Sequence, residues 1–189
     1  TGVQTCALPI CLFDGHGYHG HAVSHYCSLE FSRRINQKWE NENESKENHS
    51  KNIAELQDFL KSLYYQINRS MTHFDSSGST GIGVLKSGNS LLISNVGDSI
   101  AFVASYNKLD KDSLKIMYLT TPHKPDSPGE RKRIEAAGGS VQDAPFEGAS
   151  ARLIIPIGDG LTQFGLAMSR SLGDHDGANF GLTVEPDSK

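Results

Sequence analysis

Asp14-Gly15-His16-Gly17 places a carboxylate, an imidazole and two glycines just after the apolar pair Leu12-Phe13. Aspartate is a ligand for hard cations, and glycine lets a backbone carbonyl approach a ligand closely. Histidine is the side chain best suited to exchange a proton near neutral pH. The combination suits a metal seat with a proton donor beside it. A turn carrying an exposed histidine accounts for the same four residues. Ser77-Gly78-Ser79-Thr80-Gly81 and Asn95-Val96-Gly97-Asp98-Ser99 each put small or polar residues at the end of an apolar run. A site built there stands on rigid strands, although Gly, Asp and Ser are also ordinary turn formers. In Leu166-Ala167-Met168-Ser169-Arg170-Ser171-Leu172-Gly173-Asp174, a structural salt bridge explains Arg170 and Asp174 as well as a catalytic role does.

The elements that must position these residues follow from hydrophobic periodicity. Val23, Cys27, Phe31 and Ile35 recur every four residues and predict a helix from Gly20 to about Trp39. Asn41 to Asn52 is polar and aperiodic and is expected to be a mobile loop (40–52). Ile53, Leu56, Leu60, Leu63, Ile67, Met71 and Phe74 step by three and four and predict a second helix. From Ser79 the period shortens. Gly81–Leu85 and Leu91–Val96 form a hairpin across Ser87-Gly88-Asn89, and Ile100–Ala104 and Lys115–Leu119 extend it into an antiparallel meander. Ser127 as N-cap, Pro128 at the first helical position and Glu130 completing a capping box predict a short helix, stopped by Gly138-Gly139. Arg152–Ile157 and Phe164–Ser169 read as two further strands. Helices followed by a block of strands argue for an α+β domain rather than a βαβ fold.

The 189 residues suffice for one core, and 37% hydrophobic with 21% charged residues describe an ordinary globular domain. The formal charge of -4 disfavours nonspecific binding to nucleic acid or an acidic membrane surface. No apolar run reaches the roughly 18 residues of a membrane-spanning helix. Cys6, Cys11 and Cys27 show no CxxC spacing, so a reducing, intracellular setting, cytoplasmic or nuclear, is expected. Thr1 to Ile10 resemble translated sequencing-adapter read-through and are set aside as a scar, leaving 11–189 as the domain.

The order DGHG, SGST, NVGDS, TPHKPDSPGERKRIEAAGG, LAMSRSLGD resembles the type 2C protein phosphatases, the PPM family, from Leu12 to about Pro186. That resemblance implies a four-layer αββα sandwich, two antiparallel sheets flanked by helices. It implies two Mn²⁺ or Mg²⁺ ions bridged by water and hydrolysis of phosphoserine and phosphothreonine in phosphoprotein substrates by a monomer. On it, Asp14 bridges both metals, the Gly15 carbonyl is a second ligand, and His16 donates a proton to the departing oxygen. Asp98 matches an aspartate of a weaker third metal, while Thr80 and Asp174 support the ligands from behind.

The resemblance also implies an acidic motif with a phosphate-binding arginine before DGHG, and two metal-binding aspartates beyond LAMSRSLGD. The first place holds the set-aside stretch, and the chain stops at Lys189 before the second. Glu185-Pro186-Asp187 matches a turn of the family, not its ligand. The expectation is therefore an inactive piece of an active enzyme. The alternative, a catalytically silent binding relative, predicts loss of Asp14 or His16, and both are present. His21 and His25 have zinc spacing but no partner to complete a site and are expected to face solvent. Lys124 and Arg131-Lys132-Arg133 could attract a phosphopeptide, but read better as a solvated face. Tyr64-Tyr65 read as core or rim, and Cys27 as a small buried hydrophobe.

Overall fold

The computed structural model describes residues 8–44, 53–74, 76–87, 90–106, 114–158 and 162–189. Strands β1 (Leu8–Leu12) and β2 (Gly15–His16) lead into helix α1 (Gly20–Glu44), followed by α2 (Ile53–Ser70). Then come β3 (Gly78–Ser79), β4 (Gly81–Ser87), β5 (Ser90–Val96), β6 (Phe102–Tyr106) and β7 (Leu114–Leu119). After α3 (Pro128–Ala136) follow β8 (Ser140–Gln142), β9 (Arg152–Ile157), β10 (Thr162–Leu166) and β11 (Leu172–Gly173), a 3-10 turn (His175–Phe180), and β12 (Asp187–Ser188). The described strands form four antiparallel sheets, ordered β1-β4-β5-β12, β10-β9-β8, β11-β3-β2 and β6-β7. The class is α+β, as the run of helices and then strands implied.

The two helical stripes meet the first sheet in the main core. Val23, Cys27, Phe31 and Ile35 of α1 are at most 1% exposed, and Leu60, Leu63 and Ile67 of α2, with Met71 just past its end, are equally buried. Ile53 departs from its expected stripe and is half exposed, so the buried face of α2 begins at Leu56. Burial pushes the Cys27 thiol up to about 12, the mark of an unreactive packing residue. Tyr64 lies in the core with its hydroxyl bonded to the Gly81 carbonyl and to Ser94 Oγ. Tyr65 sits at the rim and donates to Glu185. His21 and His25 face solvent.

Three expectations are corrected. Helix α1 runs to Glu44, well past Trp39 and into the polar run expected to be loop. Trp39 packs against Phe59 of α2, 6.2 Å between ring centres, so the helix pair stays in contact to this point. The rest of the expected loop, 45–52, lies outside the described residues. The meander is also broken: β5 takes β12 as its second neighbour, and β6 and β7 form a separate ribbon. Gly97, at φ +98°, turns the chain out of the sheet. Finally, β1 begins at Leu8, so Leu8, Pro9 and Ile10 pair with Lys86, Leu85 and Val84 although they fall in the stretch set aside. The strand is an edge, where a proline without an N–H is tolerated.

A second core joins Ile134 of α3, Leu153 and Ile155 of β9, Leu166 of β10, Met168 and Leu182. Helix α3 starts and stops where expected, and the Gly139 N–H bonds the Ile134 carbonyl at its end. The capping box is absent. Ser127 makes no side-chain cap, and Glu130 is buried and turned to Arg170, whose Nε and Nη2 donate to it. Ser169 and Arg133 donate to the same carboxylate. Burial alone would raise the Glu130 pKa, but those hydrogen bonds together outweigh it and hold it at about 2.

Two outcomes are expected. A Cβ on Gly83 would stand 2.5 Å from Phe31 Cζ, and that ring is wedged between Phe13 and Tyr64. Gly83→Ala should therefore lose about 1–3 kcal/mol in urea unfolding. Gly129→Ala, with nothing within 4 Å of the new methyl, should lose nothing. The depressed pKa of Glu130 stabilises the fold in full above its unfolded value of 4.5 and progressively less as pH falls toward 2. At one pKa unit per 1.36 kcal/mol this is roughly 3 kcal/mol. Glu130→Ala should remove about 3 kcal/mol at pH 7 by leaving Arg170 Nε and Nη2, Arg133 and Ser169 without their acceptor, and should flatten the acid limb of a stability–pH curve.

Candidate active site

Thr80 gathers the first three motifs. Its Oγ1 accepts the Asp14 N–H at 3.1 Å, and its own N–H donates to the Asp14 carbonyl at 3.0 Å. The same Oγ1 shares a 2.7 Å hydrogen bond with Ser99 Oγ. Thr80 is buried, and Asp14 is exposed. The Asp14 backbone is thus fixed on both sides, while its carboxylate makes no hydrogen bond or ion pair among the described residues. Phe13 anchors the approach to it by packing edge-on against Phe31, 5.7 Å between ring centres.

The next pairs in register are Gly15 with Ser79 and His16 with Gly78. Because Asp14 and Thr80 occupy a hydrogen-bonded position, the alternation of an antiparallel ladder leaves Gly15 at a non-bonded one. Its carbonyl therefore points away from β3, on the side where Gly20 at the start of α1 packs so closely that a Cβ on Gly20 would stand 3.1 Å from that oxygen.

His16 meets Asp174 across 158 residues of chain, Nε2 to Oδ2 at 2.6 Å. Ser171 Oγ donates to that same oxygen at 2.7 Å. Asp174 is fully buried and sits in the left-handed region at φ 45°, its N–H donating to the Ser77 carbonyl. Only glycine at position 78 admits this carboxylate, since a Cβ there would stand 2.1 Å from Asp174 Oδ2. With Nε2–H donated to Asp174, the ring presents Nδ1, which is buried and has no hydrogen-bond partner among the described residues. His16 and Gly17 close one end of a cavity of about 380 Å³ walled by Arg152, Ile157, Phe164, Leu166 and Met168. Asp174, expected behind the ligands, is hydrogen-bonded to His16.

Asp98 lies beside this cluster but is not free. Lys124 Nζ bonds its Oδ2 at 2.5 Å and also reaches the Ala167 carbonyl. The expectation that Lys124 belongs to a solvated face is therefore corrected. Of the basic run on α3, Arg133 is drawn to Glu130 and the Ser169 carbonyl, Arg131 pairs with Asp143, and Lys132 alone is fully exposed.

His123 is a site residue that sequence reasoning did not single out. It is 2% exposed. Its Nδ1 accepts the Gly97 N–H at 3.0 Å, and its own N–H donates to the Gly97 carbonyl at 3.0 Å. Nε2 faces Asp187 Oδ2 at 3.2 Å, and Asp187 Oδ1 accepts Arg170 Nη1. Burial, and then the positive charge of Arg170, lower the His123 pKa against the opposing pull of Asp187. The neutral ring with its proton on Nε2 satisfies both contacts. A histidine between Pro122 and Lys124 gives no periodic signal that could have revealed this.

As a cation seat, the described residues supply a free carboxylate at Asp14 and an outward carbonyl at Gly15. Both are hard oxygen donors of the kind Mg²⁺ and Mn²⁺ take. No group of three or more His, Cys, Asp or Glu converges among the described residues. Asp98 has its charge met by Lys124.

A family model for Protein phosphatase 2C matches residues 9–189. Two proteins of Arabidopsis thaliana, Probable protein phosphatase 2C 65 and 34, are 31% and 32% identical over 93% and 98% of this chain. The matches take in 48% and 53% of those proteins, so the chain spans about half the length of the curated relatives it matches. Serine-threonine phosphatase 2C from Toxoplasma gondii shares the fold at a TM-score of 0.74 and 20% identity, covering 97% of this chain and 63% of that one. A C. elegans sex determining protein gives 0.64 at 23% identity, covering 96% and 39%. The match to the family model takes in the Asp14–Thr80 junction, the His16–Asp174 pair and the Asp98 turn together, and this chain belongs to the protein phosphatase 2C family.

Proposed function

We propose that the natural protein hydrolyses phosphoserine and phosphothreonine in phosphoproteins with the help of Mn²⁺ or Mg²⁺. The observation that carries this reading is the Thr80 junction, which presents an uncommitted Asp14 carboxylate two residues from an oriented His16. Asp14 and the Gly15 carbonyl would hold the cation, and Asp98 would do so at a third position only in competition with Lys124. When bound, the cation polarises the phosphoryl group and the attacking water. Asp174 holds the His16 ring by Nε2, so that in the imidazolium form the second proton sits on Nδ1 and would pass to the leaving serine or threonine oxygen, returning the ring to neutral. Thr80 fixes the Asp14 backbone, so that the carboxylate needs no reorganisation to bind. The unpaired thiols of Cys11 and Cys27 suit action in the cytoplasm or nucleus, and a monomer is expected.

The test is turnover by the full natural protein with millimolar Mn²⁺. Asp14→Asn should keep the fold and lose all but a few per cent of activity, because an amide cannot replace the charge that holds the cation. Substantial residual turnover would contradict that role. His16→Gln should lose far more on a phosphothreonine peptide than on p-nitrophenyl phosphate, whose leaving group needs no proton. Equal losses on both would remove His16 as the acid. Residues 1–189 by themselves should show no Mn²⁺-dependent turnover, since one carboxylate and one carbonyl are too few donors to hold two cations about 3.5–4 Å apart. Turnover that vanishes in an Asp14→Asn control would overturn this.

A further inference from the structure

We propose that His123 is a positioning residue for the catalytic cluster. Its Nδ1 fixes the Gly97-Asp98-Ser99 turn, and that turn sets Thr80 and hence Asp14. The proposal deepens the phosphatase reading and rests on it for its meaning, though its geometry stands apart from any metal.

The chain of contacts is short. His123 and Gly97 exchange two hydrogen bonds, one from the Gly97 N–H to the ring and one from the His123 N–H to the Gly97 carbonyl. Gly97 is in the left-handed region and backs directly onto Thr80: a Cβ there would stand 2.8 Å from Thr80 Cγ2. Ser99 at the far end of the turn holds Thr80 Oγ1, the atom that accepts the Asp14 N–H. A displacement of the turn therefore reaches Asp14 through one residue. The imidazole is itself fixed from behind, since Asp187 faces Nε2, Arg170 holds Asp187, and Glu130 holds Arg170. A residue that merely filled space would not need both ring nitrogens matched, in a neutral tautomer, to a backbone donor and a buttressed carboxylate.

Two amide side chains separate the two ring nitrogens. Asparagine can place its Oδ1 where Nδ1 stands, and glutamine can place its amide where Nε2 stands. In the full natural protein, hydrogen exchange is read at the Gly97 and Asp14 amides, with β9 amides as a control for global opening. His123→Gln and His123→Ala should speed exchange at both Gly97 and Asp14 by about tenfold or more while β9 is unchanged, and His123→Asn should restore wild-type protection. Mn²⁺ affinity should fall about 10- to 100-fold in the Gln variant and by far less in the Asn variant. Equal behaviour of the Asn and Gln variants, or acceleration at Gly97 with no change at Asp14, would overturn the proposal. Should the Gln and Ala variants fail to fold, a through-bond nitrogen-15 coupling between the Gly97 amide and His123 Nδ1 in the unmodified protein decides it, and its absence refutes the contact. A wild-type protein that binds no Mn²⁺ would remove the phosphatase reading and leave the exchange result to judge this one.

Discussion

The hydroxyl and amide of one buried threonine hold the site in register. Thr80 accepts from the Asp14 N–H, donates to the Asp14 carbonyl, and shares a hydrogen bond with Ser99. A carboxylate left without protein partners costs little at the surface, but only a rigid backbone makes it useful as a ligand. Here that rigidity comes from Thr80, which holds both the N–H and the carbonyl of Asp14 and is itself held by Ser99 in the turn after β5. The glycines around the junction serve the same end by exclusion. Position 78 has no side chain because the Asp174 carboxylate occupies the space one would take.

Behind the site runs a line of polar contacts from Glu130 through Arg170 and Asp187 to the neutral ring of His123. Buried ion pairs often give little net stability, since desolvation offsets their attraction, but they are demanding about geometry. Arg170 meets Glu130 with two nitrogens and is a planar fork that tolerates small errors poorly. The line links α3, the segment before β11, and β12 to the Gly97 turn. It ties the second core to the first sheet through directional contacts, where apolar packing alone would leave several equivalent seatings.

The parts legible in the sequence were those with local cause. The stripes of α1 and α2, the β4–β5 hairpin and the stop at Gly138-Gly139 all follow from spacing or turn chemistry within a few residues. What escaped depends on partners far along the chain. Glu130 sits where a capping box would put it, and only the approach of Arg170 reveals its other use. Lys124 looked solvated because Asp98 lies 26 residues earlier. Asp174 and His16 were each singled out, but not as partners. His123 fell within the TPHKPDSPGERKRIEAAGG motif but had no periodicity to mark it, being buried by elements that its own neighbours do not specify. The continuation of α1 past Trp39 was missed because its reason, the contact with Phe59, belongs to a different helix.

The separation of His16 from Asp174 by 158 residues bears on how the molecule is made. Contacts between distant parts of a chain form only after the intervening loop has closed, and topologies rich in them fold slowly. On a ribosome, the DGHG segment emerges early and must wait for most of the chain before its histidine finds a carboxylate. β5 waits for β12 too, across a shorter separation, and Lys189 just beyond β12 exchanges backbone hydrogen bonds with Ile93. Helices α1 and α2 can pair in the meantime, since they are neighbours in sequence and share one apolar seam. The His16–Asp174 contact thus closes a far longer loop than the pairing of α1 with α2.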